Sequence, residues 1–177
     1  MIITDEYELY RRELDLILIQ NPIECELYSV IAALLRGREN MKAYSLRDVS
    51  ARRKSTIGNK FRTYAGFPDF AVMTMEESKM IGVVEIKRLA VNLDLEKEQA
   101  ANHQYRENDT EINPLVVLYT NGLEWRLYAG GFGEIKEKRI SIGKIKKGKI
   151  EWENDNWIKL IELLDEIDWT GDSYKKS

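Results

Sequence analysis

Two short stretches of this sequence carry residue types able to handle a phosphodiester: Gly66-Phe67-Pro68-Asp69-Phe70, and Gly82-Val83-Val84-Glu85-Ile86-Lys87. Proline cannot donate to a sheet ladder, so Pro68 suits the start of a strand and leaves Asp69 at the strand's mouth. Side chains alternate along a strand, which puts Glu85 and Lys87 on one face while Val84 and Ile86 fill the other. A charged pair on an otherwise apolar strand is costly unless something binds there. Asp69 and Glu85 would hold a divalent cation that polarises a phosphate and lowers the pKa of a water. Lys87 would position that water and offset the negative charge of the transition state. Either motif alone is ordinary turn or surface chemistry. Their order across one short hairpin makes the pair specific.

Composition narrows the choice of metal. One cysteine, Cys25, and one histidine, His103, exclude a disulfide and any Cys- or His-rich zinc cluster. Carboxylates must hold the ion, and hard oxygen ligands point to Mg²⁺, with Mn²⁺ as the alternative. A chain of 177 residues suits one domain, residues 1–177, with a proper core. No apolar run is long enough for a membrane span and the first residues lack a signal-peptide pattern, so a cytoplasmic location is expected.

The elements that must position these residues follow from periodicity. Residues 5–20 read as a helix stopped by Asn21-Pro22, with Asn21 capping a second helix that starts at Pro22 and ends near Gly37. Ile23, Leu27, Val30, Ile31, Leu34 and Leu35 form its buried stripe. Residues 41–47 read as a strand and 49–63 as a basic loop. Strands at 69–75 and 80–87 form a hairpin around Glu76-Glu77-Ser78-Lys79. Residues 93–108 read as a polar helix, and strands at 114–120 and 123–129 flank an Asn121-Gly122 turn. Residues 135–152 look like one basic hairpin turning near Lys147-Gly148. A closing helix over 154–167 has Trp157, Ile158, Ile161, Leu164 and Ile167 inside. The order is that of an α/β sandwich on a mixed sheet.

Pro68-Asp69 followed by Glu85-Ile86-Lys87 resembles the PD-(D/E)xK nuclease superfamily. Thr120-Asn121-Gly122-Leu123-Glu124-Trp125-Arg126-Leu127-Tyr128 is similar to a strand pair in the N-terminal nuclease domain of type I restriction motor subunits. The likeness spans residues 22–129. It implies a restriction-endonuclease-like sandwich, a central mixed β-sheet flanked by helices, and Mg²⁺-dependent DNA cleavage by Asp69, Glu85 and Lys87. The metal set is Asp69, Glu85 and Ile86. Family members also carry a glutamate on the helix before the sheet. Glu24 and Glu26 compete for that position, and Glu26 is favoured by its spacing to Val30 and Leu34. They further carry a glutamine on the helix after the lysine. Gln99 and Gln104 are the candidates, and Gln104 is chosen for its distance to the Asn121-Gly122 turn, although Asn108 stands where a tyrosine is usual.

A net charge of −3 is unusual for a nucleic-acid reader, but local patches govern phosphate affinity. Arg47, Arg52, Arg53, Lys54, Lys60 and Arg62 form one such patch against a lone Asp48, and these residues are the expected DNA contacts. Residues 136–149 form a second, read as a solvated hairpin or a further contact. Tyr44, Tyr64, Trp125 and Tyr128 read as core aromatics, His103 as a rim residue, and Cys25 as a small helix residue. The sequence contains no Walker motif, so it is expected to work alone, to be a fragment of a longer protein, or to borrow a helicase or other motor subunit in trans. The competing reading is a DNA-binding module that keeps the fold without cleaving.

Overall fold

The computed structural model describes residues 2–50, 60–95, 97–105, 115–129 and 136–174. Arg52, Arg53 and Lys54, and the expected helix beyond residue 105, lie outside the described residues.

Two helices, α1 (Ile2–Gln20) and α2 (Glu24–Arg36), precede the sheet. The Asn21 N–H bonds the Ile17 carbonyl, so Asn21 continues the ladder of α1 instead of capping α2. Ile23 takes the N-cap position of α2 and is exposed, and the carboxylates of Glu24 and Glu26 in the first turn complement the helix dipole. A 3₁₀ turn at Asn40–Ala43 occupies the start of the expected strand, which leaves β1 as Tyr44–Asp48.

Six strands form the central sheet: β1, β2 (Phe70–Thr74), β3 (Met80–Ile86), β4 (Val116–Thr120), β5 (Glu124–Ala129) and β6 (Lys136–Ser141), in that spatial order. All neighbours are antiparallel except β3 and β4. A parallel pair needs a long crossover. Here the crossover carries a 3₁₀ turn (Leu93–Leu95) and α3 (Lys97–Asn102). Strands central to such a sheet are covered on both faces, and β4 is buried at every position.

The pleat divides the core in two. Phe70, Val72, Val84, Ile86, Leu118, Trp125 and Leu127 pack against α1, α2 and the closing helix α4 (Asn156–Asp165). Ala71, Met73, Val83, Val117, Tyr119 and Tyr128 face Phe61, Leu93 and Ala100 of α3. The layered α/β arrangement is the one expected. Its last part differs. Residues 136–152 are not one hairpin, because β6 pairs with β5 along its whole length. Only β7 (Gly143–Lys146) and β8 (Lys149–Trp152) turn at Lys147-Gly148, as a separate two-stranded sheet. In α4, Leu160 and Leu163 are buried and Ile158 is exposed. Trp125 and Tyr128 are core residues, Tyr44 is half-buried, and Tyr64 is exposed. Among the described residues no helix is long and apolar enough to cross a membrane.

One turn and one close backbone approach fix the central strands that carry the site. The Asn121 side-chain oxygen accepts the N–H groups of Leu123 and Glu124, and its amide donates to the Val91 carbonyl. One residue thus shapes the β4–β5 turn and ties it to the crossover. On β3, a Cβ added to Gly82 would lie 2.5 Å from Cε3 of Trp169 and 3.0 Å from the Val116 carbonyl oxygen. A Gly82→Ala substitution should therefore destabilise by about 1–3 kcal/mol through overpacking. In a chain of this size that lowers the melting temperature by roughly 2–12 °C. An unchanged melting temperature would mean that Trp169 does not pack as described.

Candidate functional site

The β2–β3 ladder pairs Phe70 with Val84, so one further step of the same register sets Asp69 opposite Glu85. Asp69 is held from three sides. Its backbone carbonyl accepts the Val49 N–H at 3.0 Å. Its Oδ2 accepts the Ile86 N–H at 2.7 Å, and its Oδ1 accepts the Tyr28 hydroxyl. Tyr28 comes from α2 and rests edge-on against Phe70, 5.5 Å between ring centres.

Glu85 is gripped from the opposite face. Lys87 Nζ donates to its Oε1 at 2.8 Å and to Gln99 Oε1 at 2.9 Å, while Gln99 Nε2 donates to the same Glu85 Oε1 at 3.1 Å. The other oxygen, Oε2, lies 3.2 Å from His103 Nε2. His103 is fully buried, and its Nδ1 is 2.6 Å from the Thr63 hydroxyl. Asp69, Glu85 and Lys87 are all buried, with 1, 4 and 9% of their surface exposed.

The two carboxylates are driven apart electrostatically. Burial and the nearby Glu85 charge push Asp69 up to about 7, against hydrogen bonds from Tyr28 and Ile86 that favour its charged form. Burial also acts to raise Glu85, but His103 and the hydrogen-bonded Lys87 ammonium outweigh it and hold Glu85 below the ordinary carboxylate range. Glu85 is therefore the permanent anion of the pair, and Asp69 is the group a bound cation would stabilise in charged form.

The three sequence-predicted residues Asp69, Glu85 and Lys87 are brought together. Two other choices are corrected. Glu26 is exposed and accepts the Asn21 side-chain amide, while Glu24 lies beside Tyr28 and its charge reaches Asp69. The reason is helical phase: at 100° per residue, Glu26 points about 200° away from Glu24, whereas Glu24 and Tyr28 share a face. Gln104 falls past the end of α3, is fully buried, and its backbone carbonyl accepts the Leu115 N–H ahead of β4. Gln99, on α3 itself, is the glutamine that reaches Glu85 and Lys87. His103 is a buried partner of Glu85 and not a rim residue. Tyr28 was missed. Its only sequence signal is the i, i+4 spacing from Glu24, the same spacing that relates Gln99 to His103.

Of the expected DNA contacts, Arg47, Lys60 and Arg62 are described and exposed. Arg47 pairs with Ala71 on the sheet face that also carries Glu85. Arg47 and Lys60 line one cleft of about 220 Å³ with Ser45 and Ser78. In the second basic stretch three cations pair with acids: Arg139 with Glu124, Lys138 with Glu166 and Lys146 with Glu151.

Among the described residues no three Asp, Glu, His or Cys side chains form a closed metal cage. Two carboxylates suit Mg²⁺, which usually keeps several waters and takes one or two carboxylates from the protein. Each carboxylate oxygen offers about two lone pairs. Lys87 and Gln99 use those of Glu85 Oε1, while Oε2 and both Asp69 oxygens keep at least one each. The Ile86 side chain is apolar and buried, so only its backbone carbonyl can contribute. In a strand that carbonyl leaves on the same side as the N–H, which here faces Asp69. The donor set fits the ion.

No protein-family model matches the chain, and no curated protein matches it. Among solved structures, a chain in the cryo-EM structure of a DrdV–DNA complex matches with a TM-score of 0.57 and 16% identity, over 92% of this chain and 97% of that one. The likeness establishes a shared fold: a six-stranded mixed sheet with flanking helices, consistent with a restriction-endonuclease-like architecture.

The pair makes stability depend on pH. Asp69 titrates near 3.8 when unfolded and about 7 when folded, so the folded state binds the extra proton between those values. Its contribution is full below the unfolded value and is lost as pH rises through about 7. Without divalent metal, Asp69→Asn should therefore melt at a higher temperature than the wild type at about pH 8 and lose that advantage near pH 4. A variant no more stable at high pH would show that the carboxylate carries no such burden.

Proposed function

We propose that this chain is a Mg²⁺-dependent nuclease of the PD-(D/E)xK type that hydrolyses phosphodiester bonds in DNA, with Mn²⁺ able to substitute. The observation that carries the reading is the buried Asp69–Glu85 pair, one carboxylate raised and the other lowered, with Lys87 bound to the second. Structural carboxylates are seldom buried so close together without a matching number of cations. The fold shared with DrdV, whose complex with DNA has been solved, supports DNA as the source of the phosphodiester.

Asp69, Glu85 and the Ile86 carbonyl would hold the ion. When bound, Mg²⁺ supplies Lewis-acid polarisation of the phosphate and makes a water more acidic. The remaining work falls to the protein. Glu85 stays anionic because His103 and Lys87 keep its proton off. Tyr28 and the Ile86 N–H fix both oxygens of Asp69, so the carboxylate cannot swing away. Lys87, released from Glu85 as charge shifts to the substrate, directs an ammonium at the oxygens that gain negative charge. Gln99 keeps that ammonium aligned by holding it from the α3 side. Exposed Arg47, Lys60 and Arg62 would meet the DNA backbone, with Arg52, Arg53 and Lys54 extending the same basic segment.

Supercoiled, linear, single-stranded and branched DNA, each with and without Mg²⁺ or Mn²⁺, test the activity directly. Lys87→Ala and Asp69→Ala should each lower cleavage by at least about 100-fold while DNA binding persists. Glu24→Gln should raise the Mg²⁺ concentration needed for half-maximal rate, and Glu26→Gln should leave it unchanged. Wild-type protein that binds DNA but cuts no substrate with any divalent metal would leave a DNA-binding module in place of a nuclease.

A further inference from the structure

One buried group next to the carboxylate pair, credited above only with keeping Glu85 anionic, has a second set of contacts. His103 Nε2 and Glu85 Oε2 are both buried and lie 3.2 Å apart, and neither has an aligned hydrogen-bond partner among the described residues. On the far side of the ring, Nδ1 lies 2.6 Å from Thr63 Oγ1. Thr63 in turn closes a small bridge with Gly66: each N–H bonds the other's carbonyl, at 2.8 and 2.9 Å. Gly66 has a φ of +104°, a value glycine reaches without strain, and the chain runs from it through Phe67 and Pro68 to Asp69. The imidazole therefore spans the gap between the turn that delivers Asp69 and the strand that delivers Glu85.

The proton positions follow from the partners. The Thr63 hydroxyl has two acceptors in reach, the Gly66 carbonyl at 2.9 Å and Nδ1 at 2.6 Å, and the anionic Glu85 carboxylate beside Nε2 favours the ring proton on that nitrogen, which leaves Nδ1 to accept from Thr63. A ring that accepts at Nδ1 carries its own proton on Nε2, the nitrogen nearest Glu85 Oε2. Oε2 then faces an N–H on one side and keeps a lone pair for a cation on the other, which restrains rotation of the carboxylate.

We propose that His103, oriented by Thr63, is a positioning residue that sets the affinity of the Asp69–Glu85 site for divalent metal, by fixing Glu85 Oε2 and coupling it to the turn before Asp69. This inference rests on the metal-site reading above. Hydrogen-bond partners of metal ligands typically contribute 10- to 100-fold in affinity or activity. Glu85 differs from most such ligands in receiving that support from an imidazole buried behind it.

The chain has a single histidine, so its ring can be observed without assignment ambiguity. Long-range ¹⁵N–¹H correlation spectra of the whole protein should show a proton on Nε2. The imidazole resonances should move as Mg²⁺ is added, and should not move in Asp69→Asn. In parallel, Mn²⁺ binding without DNA, followed by electron paramagnetic resonance, should weaken roughly 10- to 100-fold in His103→Ala. His103→Gln, whose amide can still donate to Glu85, should recover most of that loss. Thr63→Val, nearly isosteric, should weaken Mn²⁺ binding as well and carries the test if His103→Ala fails to fold.

A bare Nε2 with the proton on Nδ1 would overturn the proposal. So would wild-type Mn²⁺ affinity in folded His103→Ala and Thr63→Val while Asp69→Asn has lost it. If the wild type itself shows no Asp69-dependent metal binding, the metal-site reading falls, and the positioning role falls with it.

Discussion

Two carboxylates buried opposite each other across a β-ladder cannot both be charged without a cation nearby. That constraint organises this end of the molecule. Desolvation raises both groups, and mutual repulsion adds to it. What the protein controls is which of the two yields. Glu85 is surrounded by donors that favour its charge, Lys87 and Gln99 on one oxygen and His103 beside the other. Among the described residues the donors to the Asp69 carboxylate are neutral, the Tyr28 hydroxyl and the Ile86 N–H. Asp69 is therefore the group whose charge is left to whatever binds.

The fold serves this asymmetry. The antiparallel β2–β3 pair sets the two carboxylates opposite one another, and the parallel β3–β4 pair requires the crossover that carries α3. Without that crossover, Gln99 and His103 would have no element to stand on. The other layer contributes through α2, whose Tyr28 reaches around the end of β2 to Asp69 while its neighbours Leu27 and Ile31 are buried in the core. Each carboxylate is thus held from a different layer, Asp69 from α2 and Glu85 from α3.

The strands that carry Asp69 and Glu85 were legible in the sequence because period-two alternation and Pro68 act locally. The same holds for the Asn121-Gly122 turn, where the chemistry of the turn lies in the turn residues themselves. The choices between Glu24 and Glu26, and between Gln99 and Gln104, were not legible. They depend on where a helix starts and stops, and so on rotational phase, which a shift of two residues inverts. The Asn21 cap failed for the same reason, since Asn21 was recruited by the preceding helix. His103 was misread because its partner Thr63 is 40 residues away and its other partner, Glu85, lies on a strand. No local pattern announces a contact between a crossover, a strand and a turn. The boundary of β6 was likewise hidden, because a charged strand on the sheet's edge looks like a solvated hairpin until its pairing with β5 is known.

We propose the Asp69–Glu85 pair as a metal site. Anomalous diffraction from crystals soaked in Mn²⁺ tests it most directly. A single strong peak should appear within coordinating reach, about 2.0–2.3 Å, of carboxylate oxygens from both Asp69 and Glu85, with the Ile86 carbonyl completing the protein ligands. A peak elsewhere on the molecule, or none at this pair in crystals saturated with Mn²⁺, would contradict the account.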